Sequence, residues 1–446
     1  MLLHERIPFS RVCQILDTLP PSRYYEEVMA HTNRKIISRL ELASSSPVRD
    51  PLWKHIYLEP GYERILHSTE MQVLSGIRQL GPAHLLYPGA VHTRLSHSIG
   101  VYHLARAVIT TLLKQDGFTT CTFEGVKAFL TASLLHDLGH FPYAHSLKEL
   151  PVKDHEVLAG EIITSSRELR DIISQEIGTD PEMVADIIDE SRSSENREVQ
   201  TYRSLLSGPL DPDKLDYLNR DAYFCGVPYG VQDVDYIISK LCWVPEDGLP
   251  GIESSGLGAL ENLLFSKYLM YRYVYWHKTV RSATAMVKQA LFEALKEGAI
   301  SPEDLYQLDD PSFFHLAEDI HIPSAHLITD VRARRLHRCI AEVPFRPDHP
   351  AHRNLLDLEN RMRMQQSFPC GSVIIDIPEP ITLKLSIPLR TPPGEPLPSH
   401  IFTAEVVSSM ERSLRTVRVF TDPREEVSME HIYELIGLPE EETHGA

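Results

Sequence analysis

Along most of the chain the apolar residues recur with a helical period. Val101, Leu104, Ala105, Val108 and Leu112 follow the i, i+3, i+4, i+7 spacing of one buried helix face. Val126, Phe129, Leu130, Ser133 and Leu134 form a second such face, which predicts a helix ending near Gly139. Ser301-Pro302-Glu303-Asp304 has the pattern of an N-cap, a proline in the first turn and acids beside the helix dipole. The pattern changes after about residue 340. Eleven of the 32 prolines fall between Pro344 and Pro398. Alternation appears there: Ile381 to Ile387 alternates strictly, and Val373-Ile374-Ile375 and Val417-Arg418-Val419-Phe420 are β-rich. The whole predicts a mainly α protein in three parts. Residues 1–45 form a helical extension broken by Ser44-Ser45-Ser46-Pro47, 46–340 a helical body with few strand signals, and 341–446 a small α+β domain.

The chain's 446 residues suffice for a large buried core, and 42% hydrophobic with 24% charged residues is ordinary for a globular protein. The net charge of −18 repels nucleic acid and anionic membranes on average, so nucleic acid is an unlikely partner. A polyanionic substrate would need local cations, for which Arg94, Lys214 and Arg220 are candidates. Six cysteines without a C-x-x-C pair argue against a zinc ribbon or disulfide framework and fit a reducing compartment. No run approaches the 18 apolar residues of a membrane span, and Met1 to Arg6 opens no apolar leader, so a cytoplasmic protein is expected.

Four residues suggest chemistry: His97, the adjacent His136 and Asp137, and Asp213. His136 and Asp137 end an apolar helix, about 100° apart around its axis, and reach one ion only from a groove between helices. His97 lies 136 − 97 = 39 residues earlier, room for a helix, a loop and a returning helix. Asp213 must come from another helix. Two imidazoles and two carboxylates leave positions open for water and a phosphate oxygen, as in a catalytic site. The expected cofactor is one divalent ion, for which Mg, Mn, Co, Fe, Ni and Zn all remain open.

The motifs around these residues resemble the HD-domain superfamily. Within it they resemble the deoxynucleoside triphosphate (dNTP) triphosphohydrolases, including the branch that couples a SAM to an HD domain. The resemblance covers roughly residues 47–285. It rests on Gln79-Leu80-Gly81, Tyr87-Pro88-Gly89-Ala90 and His92 to Gly100; on His136-Asp137-Leu138-Gly139-His140 with Pro142-Tyr143-Ala144-His145; and on Asp211 to Tyr217 with Arg220-Asp221. Arg49-Asp50-Pro51 resembles the family's opening segment, and Ile374 to Pro378 a cue of bacterial members; no SAM domain is apparent in residues 1–45.

The resemblance implies an HD helical bundle that cleaves a dNTP at the α-phosphate to deoxynucleoside and triphosphate. It implies His97, His136, Asp137 and Asp213 as metal ligands. His145 becomes the acid–base residue, with His140 and His155 in the same chamber and Asp211 beside the metal. Arg94, Lys214, Tyr217, Asp221 and Lys267 fall to the phosphates, and Gln79, Leu80 and Tyr275 to the sugar. A homo-oligomer (dimer, tetramer or hexamer) and an effector dNTP are also implied.

The chain departs from the pattern at several points. Lys148 stands where the branch has an Asp that pairs with the catalytic histidine, so Glu149 or another carboxylate must take over. Lys267 replaces an Arg and Trp276 an amide, while His67 and Ser75 replace the guanine-reading pair of the activator site. Arg332, Arg334, Arg335 and Arg338 form either an effector site or a charged helix face. The alternatives are an HD phosphohydrolase for another nucleotide or single-stranded nucleic acid, and a non-catalytic nucleotide sensor.

Overall fold

The computed structural model describes residues 21–42, 47–115, 117–118, 121–245, 247–383, 387–392 and 402–437. The two helices foreseen from periodicity are present as α1 (Arg94–Leu113) and α2 (Phe123–Leu135). Each begins at a threonine, Thr93 or Thr122, whose side chain accepts from the backbone N–H three residues on. From Ala128 to Leu135 every residue of α2 is buried, as befits a helix at the centre of a core.

Further helices include α3 (His155–Ser165), α4 (Pro212–Cys225), α5 (Leu257–Met270) and α6 (Lys278–Lys296). α1 packs against both α2 and α4. The crossing with α4 is closest at Gly100, where a Cβ would lie 2.0 Å from Asp216 Oδ1 and 2.5 Å from an Arg220 nitrogen. A second close approach is at Gly139, where a Cβ would lie 2.0 Å from the carbonyl oxygen of His155 at the start of α3.

The helix Pro21–Leu42 belongs to the predicted extension, and it docks: Ile36 and Leu40 are buried in the main core, and Asn33 Nδ2 donates to the Phe118 carbonyl at 2.8 Å. No described helix is long and apolar enough to cross a membrane.

Strands occur in the helical body where the sequence pattern shows few. β1 (Pro47–Asp50) pairs with β2 (Lys54–Tyr57), and β3 (Leu241–Val244) with β4 (Leu249–Glu253). Runs of four or five residues are at the lower limit for reading a period of two. A third sheet contains β5 (Arg338–Pro344), β6 (Val373–Asp376) and, beyond the two-residue β7 (Leu389–Arg390), β8 (Thr416–Thr421), in the order β5-β8-β6.

β6 and β8 are the predicted strands. Of the alternating run from Ile381, residues 381–383 join no ladder, and 384–386 lie outside the described residues. Leu383 is buried in the core of the helical body. β7 then adds to β4 in parallel, so the chain returns from the third sheet to the body. α6 bridges the two, with Met286 and Leu291 in the same apolar cluster as Ile374 of β6 and Phe420 of β8.

Candidate active site

The start of α1, the end of α2 and the start of α4 converge on the four proposed ligands. His97 is 1% exposed. Its Nε2 lies 3.0 Å from Asp213 Oδ1 and 4.0 Å from Asp137 Oδ2. His136 Nε2 lies 3.4 Å from Asp137 Oδ1 and 3.7 Å from Asp213 Oδ1. The other ring nitrogens are occupied. His136 Nδ1 donates to the Ser133 carbonyl at 3.0 Å, and His97 Nδ1 to Asp216 Oδ2 at 2.8 Å.

Both rings therefore turn Nε2 toward the carboxylates, as metal-binding histidines do. His136 Nε2 is buried without a hydrogen-bond partner, which is costly unless something binds there. Burial opposes a charge on His97, yet Asp213 and Asp216 pull its pKa up to about 10, so the cluster attracts positive charge. An orphaned imidazole nitrogen and converging carboxylates fit a divalent cation.

Behind His97 lies a buried relay. Asp216 accepts from Arg220 Nε and Nη2 at 2.8 and 2.9 Å and from Trp53 Nε1 at 2.6 Å. Arg220 Nη1 donates to Asp50 Oδ2 at 2.8 Å, and Asp50 Oδ1 accepts from the backbone N–H of Leu52 and Trp53. Arg220 is thus no phosphate cation: it is fully buried and neutralises Asp216 and Asp50.

Beside the cluster sit three imidazoles. His140 Nδ1 lies 3.1 Å from Asp137 Oδ1, and its Nε2 is 3.0 Å from Nε2 of His145. The His155 ring centroid is 4.0 Å from that of His140 and 5.1 Å from that of His145. Burial first, then the Arg94 charge, hold His140 and His145 well below the ordinary imidazole pKa. The carboxylate nearest this trio from the following segment is Asp154, 3.1 Å from His155 Nδ1 and 3.5 Å from Lys148 Nζ. Glu149 pairs instead with Lys288 and Arg361.

A cleft of about 630 Å³ runs past these groups. The candidate metal, catalytic and substrate residues line it except His140, which meets it through His145; Arg220, the third candidate cation, does not. Arg94 Nη1 donates to Asp137 Oδ2 at 2.7 Å. Lys214 Nζ is held by Asp211 and by the Gly208 carbonyl at 3.0 Å. Asp211 caps α4, accepting from the Lys214 backbone N–H at 2.7 Å, so it holds Lys214 and the helix start as well as adjoining the ligands. Tyr275 Oη donates to Asp221 Oδ2 at 2.6 Å, and His92 Nε2 lies 2.8 Å from Asp221 Oδ1. Gln79 Oε1 is buried without a partner, and Lys267 Nζ donates to the Thr382 carbonyl at 3.2 Å. Trp276 lines the same cleft with its ring edge-on to Tyr271. The arginines after residue 331 are largely committed: Arg332 to Glu318, Arg334 to the Leu85 carbonyl, and Arg335 to Asp330.

Comparison with protein families matches the HD domain over residues 94–222 and the HD associated region over residues 233–386. The uncharacterized protein YwfO of Bacillus subtilis is 30% identical over 341 residues, 72% of this chain and 75% of the relative. The chain belongs to the HD-domain phosphohydrolase family. More distant HD relatives include the deoxynucleoside triphosphate triphosphohydrolase SAMHD1 of Danio rerio, 24% identical over 69% of this chain and 58% of that one. Among solved structures, a hypothetical protein from Aquifex aeolicus superposes with a TM-score of 0.63 at 25% identity, covering 84% of this chain and 96% of that one. A phosphohydrolase from Bacteroides thetaiotaomicron shares the fold, with a TM-score of 0.66 at 23% identity, covering 85% and 100%.

Around the HD pair, the sequence pattern missed Trp53, His92, Arg281 and Lys288, whose partners lie far away in the chain. For Asp216 a signal existed: its spacing from Asp213 puts both on one helix face. That spacing also suits a solvated acidic face, yet Asp216 is wholly buried.

Proposed function

We propose that this protein is a metal-dependent dNTP triphosphohydrolase, releasing deoxynucleoside and inorganic triphosphate from a dNTP. The observation that carries the reading is the single cleft shared by His97, His136, Asp137 and Asp213, by His145, and by Arg94, Lys214 and Tyr217. The activity for which the SAMHD1 relatives are named agrees with it. A divalent ion held by the four ligands would polarise a phosphate oxygen and acidify a bound water. The chain's own groups do the rest. Arg94 and Lys214 bring positive charge to a triphosphate, Arg94 as a planar fork and Lys214 as a point charge.

His140 keeps its Nδ1–H toward Asp137, so its Nε2 accepts from His145 Nε2–H. That leaves His145 Nδ1 unprotonated, free to take a proton from the attacking water and pass it to the leaving O5′. Tyr275, anchored on Asp221, and Gln79 with Leu80 form the wall for the sugar.

The test is turnover of the four dNTPs, singly and in pairs, with Mg²⁺, Mn²⁺ or Co²⁺, and chromatography of the products. Deoxynucleoside and triphosphate are expected, with His145→Ala losing kcat. Deoxynucleoside monophosphate plus pyrophosphate would mean a different reaction, and no release from any dNTP would overturn the reading.

A further inference from the structure

The loop from Phe141 to Leu150 carries His145 and has little regular structure of its own: one 3-10 turn at Ala144–Ser146, entered through Tyr143 in the left-handed region at φ 66°. Something else must hold it, because an irregular loop orders its side chains only where surrounding groups fix them. Phe141, Ala144, Leu147 and Leu150 anchor it by apolar burial. The one carboxylate of the loop, Glu149, anchors it by charge. Glu149 accepts from Lys288 Nζ of α6 through one oxygen and from Arg361 Nη2 through the other.

Arg361 lies on the helix Leu358–Gln365, more than 200 residues further along the chain. It is 1% exposed, and its Nε and Nη1 have no hydrogen-bond partner. The Glu149 carboxylate is therefore the one acceptor this buried guanidinium has among the described residues. Lys288 is equally committed: it is buried, and its next acid, Asp376, stands 3.9 Å away and accepts from Nε and Nη2 of Arg281.

We infer that Glu149 is a positioning residue for His145, and that the segment after residue 340 takes part in catalysis through Arg361. Glu149 stands four residues after His145, on the rim of the same cleft, and its two cationic partners come from different parts of the fold. Removing its charge leaves two buried cations facing each other across the loop, a strong force to displace the loop. Displacement moves His145 relative to His140, whose Nε2 lies 3.0 Å away, and relative to the ion ligands. Small misplacements of a proton-transfer group cost rate more than binding.

This inference rests on the role proposed for His145, so the experiment has an arm that does not need activity. In the full-length, metal-loaded protein, Glu149→Gln, Arg361→Gln, the double variant and Arg361→Lys are compared with the parent. Backbone hydrogen exchange over residues 141–150 is expected to accelerate at least tenfold in both single Gln variants and to be unchanged in α1 and α2. In steady-state kinetics kcat should fall about 10- to 100-fold with KM changed less than threefold. The double variant should be no worse than either single one, and Arg361→Lys should recover part of the loss by restoring a cation.

Unchanged exchange in the loop would overturn the inference whatever the activity. So would a lower melting temperature with kcat intact, or losses that simply multiply in the double variant. If the parent hydrolyses no dNTP while the loop responds as expected, the proposed reaction fails and the anchoring of the loop stands.

Discussion

Asp213 and Asp216, one helical turn apart on α4, address the two opposite nitrogens of His97: Asp213 Oδ1 is 3.0 Å from Nε2 and Asp216 Oδ2 is 2.8 Å from Nδ1. One helix thus supplies a proposed ligand and the group that aims its neighbour. Burial works against the charge of Asp216, but Arg220 and His97 outweigh it and bring its pKa down to about 2. Asp216→Asn keeps the shape and removes the charge. It should weaken metal affinity by about 10- to 100-fold, the usual cost of losing a carboxylate behind a metal-bound histidine. Titration calorimetry reads this directly, and unchanged affinity would show that His97 is aimed by something else.

His136→Ala combined with Asp137→Ala should abolish both metal binding and hydrolysis. Metal content of the purified double variant and its turnover are the two measurements. Retained turnover would remove the HD pair from the ion.

Gly100→Ala should destabilise the fold. Its new methyl group would collide with Asp216 Oδ1 at 2.0 Å, a charged atom in a wholly buried relay. Overpacking of this kind costs on the order of 1–3 kcal/mol, seen as a drop in melting temperature. Gly258→Ala is the matched control on α5: nothing lies within 4 Å of its Cβ, so the same change should be neutral or stabilise by up to about 1 kcal/mol.

Asp376 gives a pH signature. Burial opposes its ionisation, but Arg281 and Lys288 lower its pKa from 3.8 to about 2. The fold therefore favours the ionised form. Its contribution, about 2 kcal/mol, is present above pH 4 and disappears as pH falls toward 2. Urea unfolding of the parent and of Asp376→Asn should differ most near neutrality, with the gap narrowing below pH 4. A constant gap across that range would mean that the charge contributes nothing.

How far the sequence carries depends on the range of the interaction. α1, α2 and the β6 and β8 strands are written in periodicity, because their buried faces repeat within a few residues. The ligand quartet is equally visible, since His136 and Asp137 are adjacent and Asp213 opens a proline-started helix.

What fails is anything decided by a distant partner. Arg220 has the composition of a phosphate cation, yet Asp50 at the other end of the body claims it. Glu149 is next to the position where an acid is expected, yet its direction is set by Arg361. The run from Ile381 alternates as a strand would, yet Ile381 to Leu383 join no ladder and Leu383 is buried in the main core. Local pattern records that a residue is buried, and not against what.

Gly139 ties these observations to the spacing of the centre. The end of α2 bears the proposed ion ligands, and the start of α3 bears His155, whose carbonyl oxygen rests where a methyl group on residue 139 would be. The separation between the His136–Asp137 pair and His155 is therefore set by the absence of a side chain, like a gap cut to a gauge. Any residue larger than hydrogen at this point would wedge α3 outward and open the imidazole trio, leaving every ligand intact and the distances between them wrong.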